Sequence, residues 1–139
     1  KLDERFDLQK CFEFLIKQKI VLHNKIYELS QGEKKILLFS IGYFTMSRIL
    51  VLDNPFSGVG LIAKKEMLNL LRDYMDENKM IILVTEDPLV IKSLADYVIV
   101  LEDGRINTKE DIVELQERFN TTDIEKILLS IMKGEKSNV

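Results

Sequence analysis

The chain has 139 residues, a single cysteine (Cys11), a single histidine (His23) and a formal net charge of −3. This length suits one domain with a moderate core, and 46% apolar with 31% charged residues is ordinary for a globular protein. The balance excludes a basic nucleic-acid footprint, an intrachain disulfide and a His/Cys zinc cluster.

In chain order, Leu8, Cys11, Phe12 and Leu15 follow helical spacing and predict an amphipathic helix over residues 7–19, with those four facing inward. A polar stretch at His23-Asn24-Lys25 follows. Ser30 then opens a second helix, apolar on most sides through Phe44, a pattern expected of deep burial. The longest mostly apolar run, Ile36–Met46, is too short for a membrane span, which needs about 20 apolar residues. Ile49–Leu52 reads as a short strand covered on both faces, and Pro55, Gly58 and Gly60 mark a loop. Met67, Leu70, Leu71, Tyr74 and Met75 form the inward stripe of a long helix. Ile81–Val84 reads as a second buried strand, Pro88–Ala95 as a short helix with Pro in its first turn, and Val98–Leu101 as a third strand. Glu102-Asp103-Gly104-Arg105 reads as a tight turn. Thr108 with Asp111, and Thr122 with Glu125, read as N-terminal capping pairs of two last helices. Ile124, Ile127, Leu128 and Ile131 supply a core face, and a polar tail starts at Gly134. The alternation of strands and helices predicts an α/β fold with a largely parallel sheet. No signal peptide is visible. The first residue, Lys1, is not Met, so the chain is expected to be a piece or a processed product.

Leu29-Ser30-Gln31-Gly32-Glu33 combines a capping hydroxyl with a glycine at a helix start. Such a start presents unpaired N–H groups and the positive dipole end. A simpler reading is a capping box between Ser30 and Glu33. Ile49-Leu50-Val51-Leu52-Asp53 is an apolar strand ending in a carboxylate; its simpler reading is a strand closing in an Asx turn. Pro55-Phe56-Ser57-Gly58-Val59-Gly60, Ile82-Leu83-Val84-Thr85-Glu86-Asp87 and Leu94 to Ile106 follow.

In this order the five motifs resemble the ATPase subunits of ABC transporters: signature loop, Walker B strand, D-loop, switch strand and the strand-turn-strand after it. The resemblance runs over nearly the whole chain. It implies a partial P-loop NTPase sheet of mainly parallel strands flanked by helices and preceded by helical-subdomain helices. The implied divisions are 1–47 (helical subdomain and signature helix), 48–107 (Walker B, D-loop and switch-strand core) and 108–139 (C-terminal helices and tail). By resemblance, Asp53 holds Mg²⁺ through water. Ser30, Gln31 and Gly32 meet the γ-phosphate of ATP bound to the opposite subunit, and Ser57, Gly58 and Gly60 form the D-loop. In an isolated chain Ser30 is expected to lie far from Asp53, since the two serve different sites.

Three departures bear on activity. Asn54 stands where the family has a Glu that polarises the attacking water, and an amide cannot take a proton. Gly60 replaces the D-loop Asp, and Glu86 replaces a His that contacts the γ-phosphate. No Gly-x-x-x-x-Gly-Lys-Ser/Thr occurs in these 139 residues. The family's Walker A strand lies between the strands matching Ile81–Val84 and Val98–Leu101, so an unpaired gap is expected there. The resemblance thus implies an ATP-binding component with ATP and Mg²⁺ as cofactors, inactive or strongly impaired as an ATPase in this chain. Its implied partners are a second nucleotide-binding subunit, identical or not, and a transmembrane permease. Its implied place is the cytoplasmic face of the cell membrane, as a peripheral subunit.

Alternative readings are a non-catalytic ABC-type module that pairs with a competent partner, favoured by Asn54, Gly60 and Glu86, and a dinucleotide-binding domain. The latter rests on Gly58-x-Gly60-x-x-Ala63 with Glu86 at the end of the next strand. Cys11 is expected in the core rather than as a nucleophile. His23 is expected on the surface, and Lys34-Lys35 and Lys64-Lys65 on solvated helix faces.

Overall fold

The computed structural model describes residues 6–75 and 79–134, and they fall into two compact units that divide between Glu86 and Asp87. The tail beyond Gly134 lies outside the described residues.

In the first unit, α1 (Leu8–Lys17) starts where the Asp7 carboxylate accepts from the Lys10 amide at 3.0 Å. Its buried residues are Cys11, Phe14 and Leu15, while Leu8 and Phe12 are exposed. The inward stripe is thus rotated from the expected one: the apolar arc of this helix is wider than the strip its neighbours cover. α2 (Gln31–Phe44) buries Ile36, Phe39, Ser40, Tyr43 and Phe44. Leu38 and Ile41 stay exposed, so the helix is covered on one side and not all round. The Ser40 hydroxyl is satisfied by the Leu37 carbonyl at 2.8 Å.

Phe14 lies 6.1 Å from Phe39 and 6.0 Å from Phe44, and Tyr43 lies 5.6 Å from Tyr74, centroid to centroid. Such aromatic pairs each add about 0.5–1.5 kcal/mol beyond area burial, and these join α1, α2 and α3 (Leu61–Tyr74). Only Met67, Leu71 and Tyr74 of the stripe expected on α3 are fully buried. Gln18 Nε2 and Lys17 Nζ reach the Glu66 carboxylate at 2.6 and 3.1 Å, tying the C-terminal end of α1 to α3.

β1 (Ile49–Asp53) and β2 (Met80–Val84) pair in parallel, with Ile49 opposite Met80 and Asp53 opposite Val84. Leu50 and Leu52 point into the core. On the other face Ile49, Val51, Met80, Ile82 and Val84 are all about half exposed or more, Val51 reaching 64%. The expectation of strands covered on both faces holds for one face of β1 within these residues.

The second unit holds α4 (Pro88–Leu94), β3 (Tyr97–Glu102), β4 (Arg105–Asp111), α5 (Ile112–Arg118) and α6 (Ile124–Met132). β3 and β4 form an antiparallel hairpin. Asp103 and Gly104 turn it with φ of 48° and 73°, the two left-handed residues a tight hairpin turn needs. Val98, Leu115, Ile124, Ile127 and Ile131 make its core. Residues 105–111 are strand, so Thr108 caps nothing. Asp111 alone caps α5, accepting from the Val113 amide at 2.8 Å. Likewise Asp123, not Thr122, caps α6, accepting from Lys126 at 3.3 Å. A carboxylate directly before the helix reaches the free amides better than a hydroxyl further upstream.

The arrangement is the expected mixed α/β one: among the described residues β1 and β2 form a parallel pair in the first unit, and β3 and β4 an antiparallel hairpin in the second.

Candidate functional site

β1 and β2 run parallel in register, so Asp53-Asn54 and Thr85-Glu86 leave the same end of the sheet. The carboxyl ends of parallel strands are where open α/β sheets bind ligands. The Asn54 amide donates to the Val84 carbonyl at 2.9 Å, which carries the ladder one residue past Asp53. Asn54 has φ 45°, in the left-handed region. Asn tolerates that region better than other residues with a Cβ. Pro55 and Phe56 are buried beneath the turn that follows. Ser57 N donates to Asn54 O at 3.5 Å and Val59 N to Phe56 O at 3.2 Å, with Gly58 at φ 73° between them. Gly60 takes an ordinary φ of −63° as the residue before α3, and a side chain there would meet open space.

The start of α2 lies against this loop. Ser30 Oγ accepts from the Glu33 amide at 3.2 Å, and the Glu33 carboxylate accepts from the Ser30 amide at 2.7 Å. This is the capping box of the simpler reading. The Ser30 hydroxyl and amide together hold the Glu33 carboxyl below its usual range. Gln31 is exposed beside it. A Cβ placed on Gly32 would lie 2.4 Å from the Gly58 carbonyl oxygen, so the glycine is required by a neighbouring segment of its own chain. Lys35 Nζ donates to the Asp53 carbonyl at 3.3 Å.

One end of the first unit thus gathers Gly32, Lys35, Asp53, Asn54, Gly58 and the exit toward Glu86. The first turn of α2 after Ser30 abuts the loop after Asp53, where Gly32 meets Gly58. No hydrogen bond joins the two residues: Ser30 serves its own helix. Lys35 was expected to face solvent. Its contact with β1 has no signal in the sequence, because nothing in a Lys-Lys pair says which lysine a strand end will meet.

Chemically, Asp53 and Glu86 are exposed carboxylates and Asn54 is an amide that can orient water but not deprotonate it. No group of three or more His, Cys, Asp or Glu able to hold a metal occurs among the described residues. A lone strand-end carboxylate suits Mg²⁺ of the kind held chiefly by substrate phosphates and water. Away from this end, Cys11 is buried and its thiol pKa is pushed up by that burial, as befits a core residue, and His23 is exposed.

No protein-family profile matches the chain. It is 34% identical over 112 residues to an ABC transporter ATP-binding protein of Pyrococcus abyssi, covering 78% of this chain and 43% of that protein. It is 29% identical over 117 residues to an ABC transporter ATP-binding protein of Methanocaldococcus jannaschii, covering 84% of this chain and 21% of that one. The chain therefore spans less than half the length of these curated relatives. Among solved structures it resembles an ATP-binding subunit of an ABC transporter at TM-score 0.78 and 16% identity, over 90% of this chain and 52% of that one. A cobalt transport ATP-binding protein follows at TM-score 0.65 and 22% identity, over 81% and 43%. The ADP-bound form of another ABC ATP-binding cassette gives TM-score 0.58 at 19% identity, over 86% and 47%.

Proposed function

We propose, for a chain whose homologues and fold set it among the ABC transporter ATP-binding proteins, that it is the part of such a subunit running from the helical subdomain onward. In this reading it works with a second nucleotide-binding subunit and a permease to couple ATP binding to transport across a membrane, from the cytoplasmic side. The observation that carries it is the meeting, at one end of a parallel strand pair, of a strand-end carboxylate and the first turn of a capped helix. That helix would offer its amides to a phosphate, and Asp53 would bind the water shell of Mg²⁺.

The open apolar face of β1 and β2 supports a larger sheet. Parallel strands this apolar are ordinarily covered on both sides, and more than half of each relative lies outside the match. The phosphate-cradling loop would come from there. Among the described residues no helix is long and apolar enough to cross a membrane, so the permease would be a separate chain or segment.

Within this reading the chain's own site is a poor catalyst. Asn54 supplies no base, and Glu86 adds negative charge where the γ-phosphate already gathers it. Loss of general-base catalysis costs about 10²–10⁴ in rate. The site would bind and signal while a partner's site turns over. The test is a rescue in the assembled full-length protein. Asn54→Glu with Glu86→His should raise ATPase activity at least about tenfold. Normal turnover by the unmodified assembly without a competent partner subunit, unaffected by Asn54→Ala, would assign the chemistry to other residues.

A further inference from the structure

We propose that the loop between α1 and α2 is a membrane-contact surface, seating residues 16–27 on a bilayer rich in anionic lipid. Ile20 and Leu29 are buried and pin the loop at both ends. Between them all eight residues from Val21 to Glu28 are exposed. Four of the eight are large and apolar: Val21, Leu22, Ile26 and Tyr27, the last two 68% and 71% exposed. Ile16, near the end of α1, adds to them at 61%. Loops ordinarily meet water with polar side chains, and exposed apolar groups gathered in one segment mark a surface that something covers. The backbone beneath them is fixed by its own bonds. The Lys19 amide donates to the Ile16 carbonyl at 2.9 Å, Asn24 to Val21 at 3.1 Å and Glu28 to Lys25 at 2.9 Å.

Charge says what covers it. From Phe14 to Tyr27 the chain carries Lys17, Lys19 and Lys25 and no Asp or Glu, although its net charge is −3. Glu28, the next acid, gives its carboxylate to the Lys25 amide at 2.8 Å. Lys17 reaches Glu66 at 3.1 Å and yet keeps 67% of its side chain exposed. Lys25 Nζ lies 5.6 Å from the centre of the Tyr27 ring, so a cation and an aromatic face sit side by side. Cations among exposed aliphatic groups, with a tyrosine, match a lipid interface. The lysines meet headgroup phosphates, the aliphatic groups enter the acyl boundary and the phenol stays at headgroup depth. A run of eight exposed residues projects outward, and a fluid surface takes such a shape without a matching pocket. Three lysines and a short apolar loop give a weak, reversible hold rather than an anchor. The inference goes beyond the ATP reading and stands without it, since no residue of the strand-end site takes part.

The chain has no tryptophan, so Tyr27→Trp places a single fluorescent reporter on the loop. Vesicles of phosphatidylglycerol and phosphatidylcholine at low salt should shift its emission to the blue, and pure phosphatidylcholine should not. Added salt should reverse the shift, because screening weakens the lysine contacts. A reporter made by Leu89→Trp, exposed in the second unit, should stay unshifted on both kinds of vesicle. Lys19→Glu with Lys25→Glu should weaken co-sedimentation with the anionic vesicles at least about twentyfold, from about fivefold for each lysine. Lys92→Glu with Lys133→Glu makes the same change in net charge at exposed positions of the second unit and should weaken it less than about threefold. All of these side chains are exposed, so the variants should melt close to the native chain. An unshifted Tyr27→Trp reporter on anionic vesicles, equal binding to pure phosphatidylcholine, or equal losses from the two charge-reversed pairs would overturn the inference. Binding of a permease's cytoplasmic segment at this loop, with no vesicle binding, would likewise overturn it and give the surface to a protein.

Discussion

Asn54 is both the amide at the position of a catalytic base and a residue with φ 45°, and the second property yields a stability prediction. A left-handed conformation costs a residue with a Cβ roughly 1–2 kcal/mol, less for Asn, whose short side chain bonds locally. Asn54→Ala and Asn54→Glu should each therefore destabilise by about 1 kcal/mol. Asn54→Gly removes the steric cost but adds unfolded-state entropy worth about 0.5–1 kcal/mol, so it should fall within about 0.5 kcal/mol of the native chain. None of the three loses the amide bond to the Val84 carbonyl, since only the side chain changes. For a chain of this size, 1 kcal/mol is roughly 4 °C in Tm. Urea unfolding followed by circular dichroism, read as a shift in midpoint at constant slope, measures it. The reasoning fails if Glu is as stable as Asn while Gly costs more than about 1 kcal/mol. That pattern would mean the backbone here is not left-handed and the amide side chain is retained for a contact. The result also calibrates the rescue experiment, because Asn54→Glu would restore a base at a cost in local stability.

Two further outcomes follow from the capping box and the open strand face. Glu33 has its carboxyl pKa lowered from about 4.5 by Ser30, so its contribution is present above that value and lost as pH falls through the lower folded value. Glu33→Gln should flatten this part of the acid dependence, and melting curves from pH 7 to pH 3 that remain parallel for the two proteins would refute the assignment. Val51→Lys and Ile82→Lys lie on exposed positions of the parallel pair. In the 139-residue chain they should change stability by under about 0.5 kcal/mol and reduce self-association seen by light scattering. In the full-length protein they should cost at least about 2 kcal/mol if that face is covered there, and an unchanged full-length midpoint would count against a completed sheet.

Much of the first unit was legible because its signals are local. Ser30 and Glu33 at capping-box spacing, Met67, Leu71 and Tyr74 at helical spacing, and an apolar run ending in Asp53 each announce their element without reference to the rest of the chain. The inward face of α1 was not, since Phe12 and Phe14 are equally apolar and only the neighbours decide which one is covered. The turn at Asp103-Gly104 and the start of β4 were legible, but its continuation to Asp111 was not, because Thr108 and Asp111 carry a plausible capping pattern. The site was legible as motifs and not as geometry. The sequence offers Gly32 as a place for close backbone approach but does not say that Gly58 makes the approach, and Lys35 gives no hint of its strand-end partner.

The two faces of β1 are almost equally greasy: Ile49 and Val51 look one way, Leu50 and Leu52 the other. In most strands a slip of one residue is forbidden because it would exchange an oily side for a polar one. Along Ile49–Leu52 that exchange would swap like for like, so only Asp53, which a slip would turn toward the core, opposes it on polarity. Shape adds to it. A methyl group on Gly42 would come within 3.2 Å of Leu50 Cδ1, a notch that admits one side chain at one height along the strand. The height at which Asp53 emerges, and with it any ion the chain could hold there, is thus measured from a glycine on the neighbouring helix.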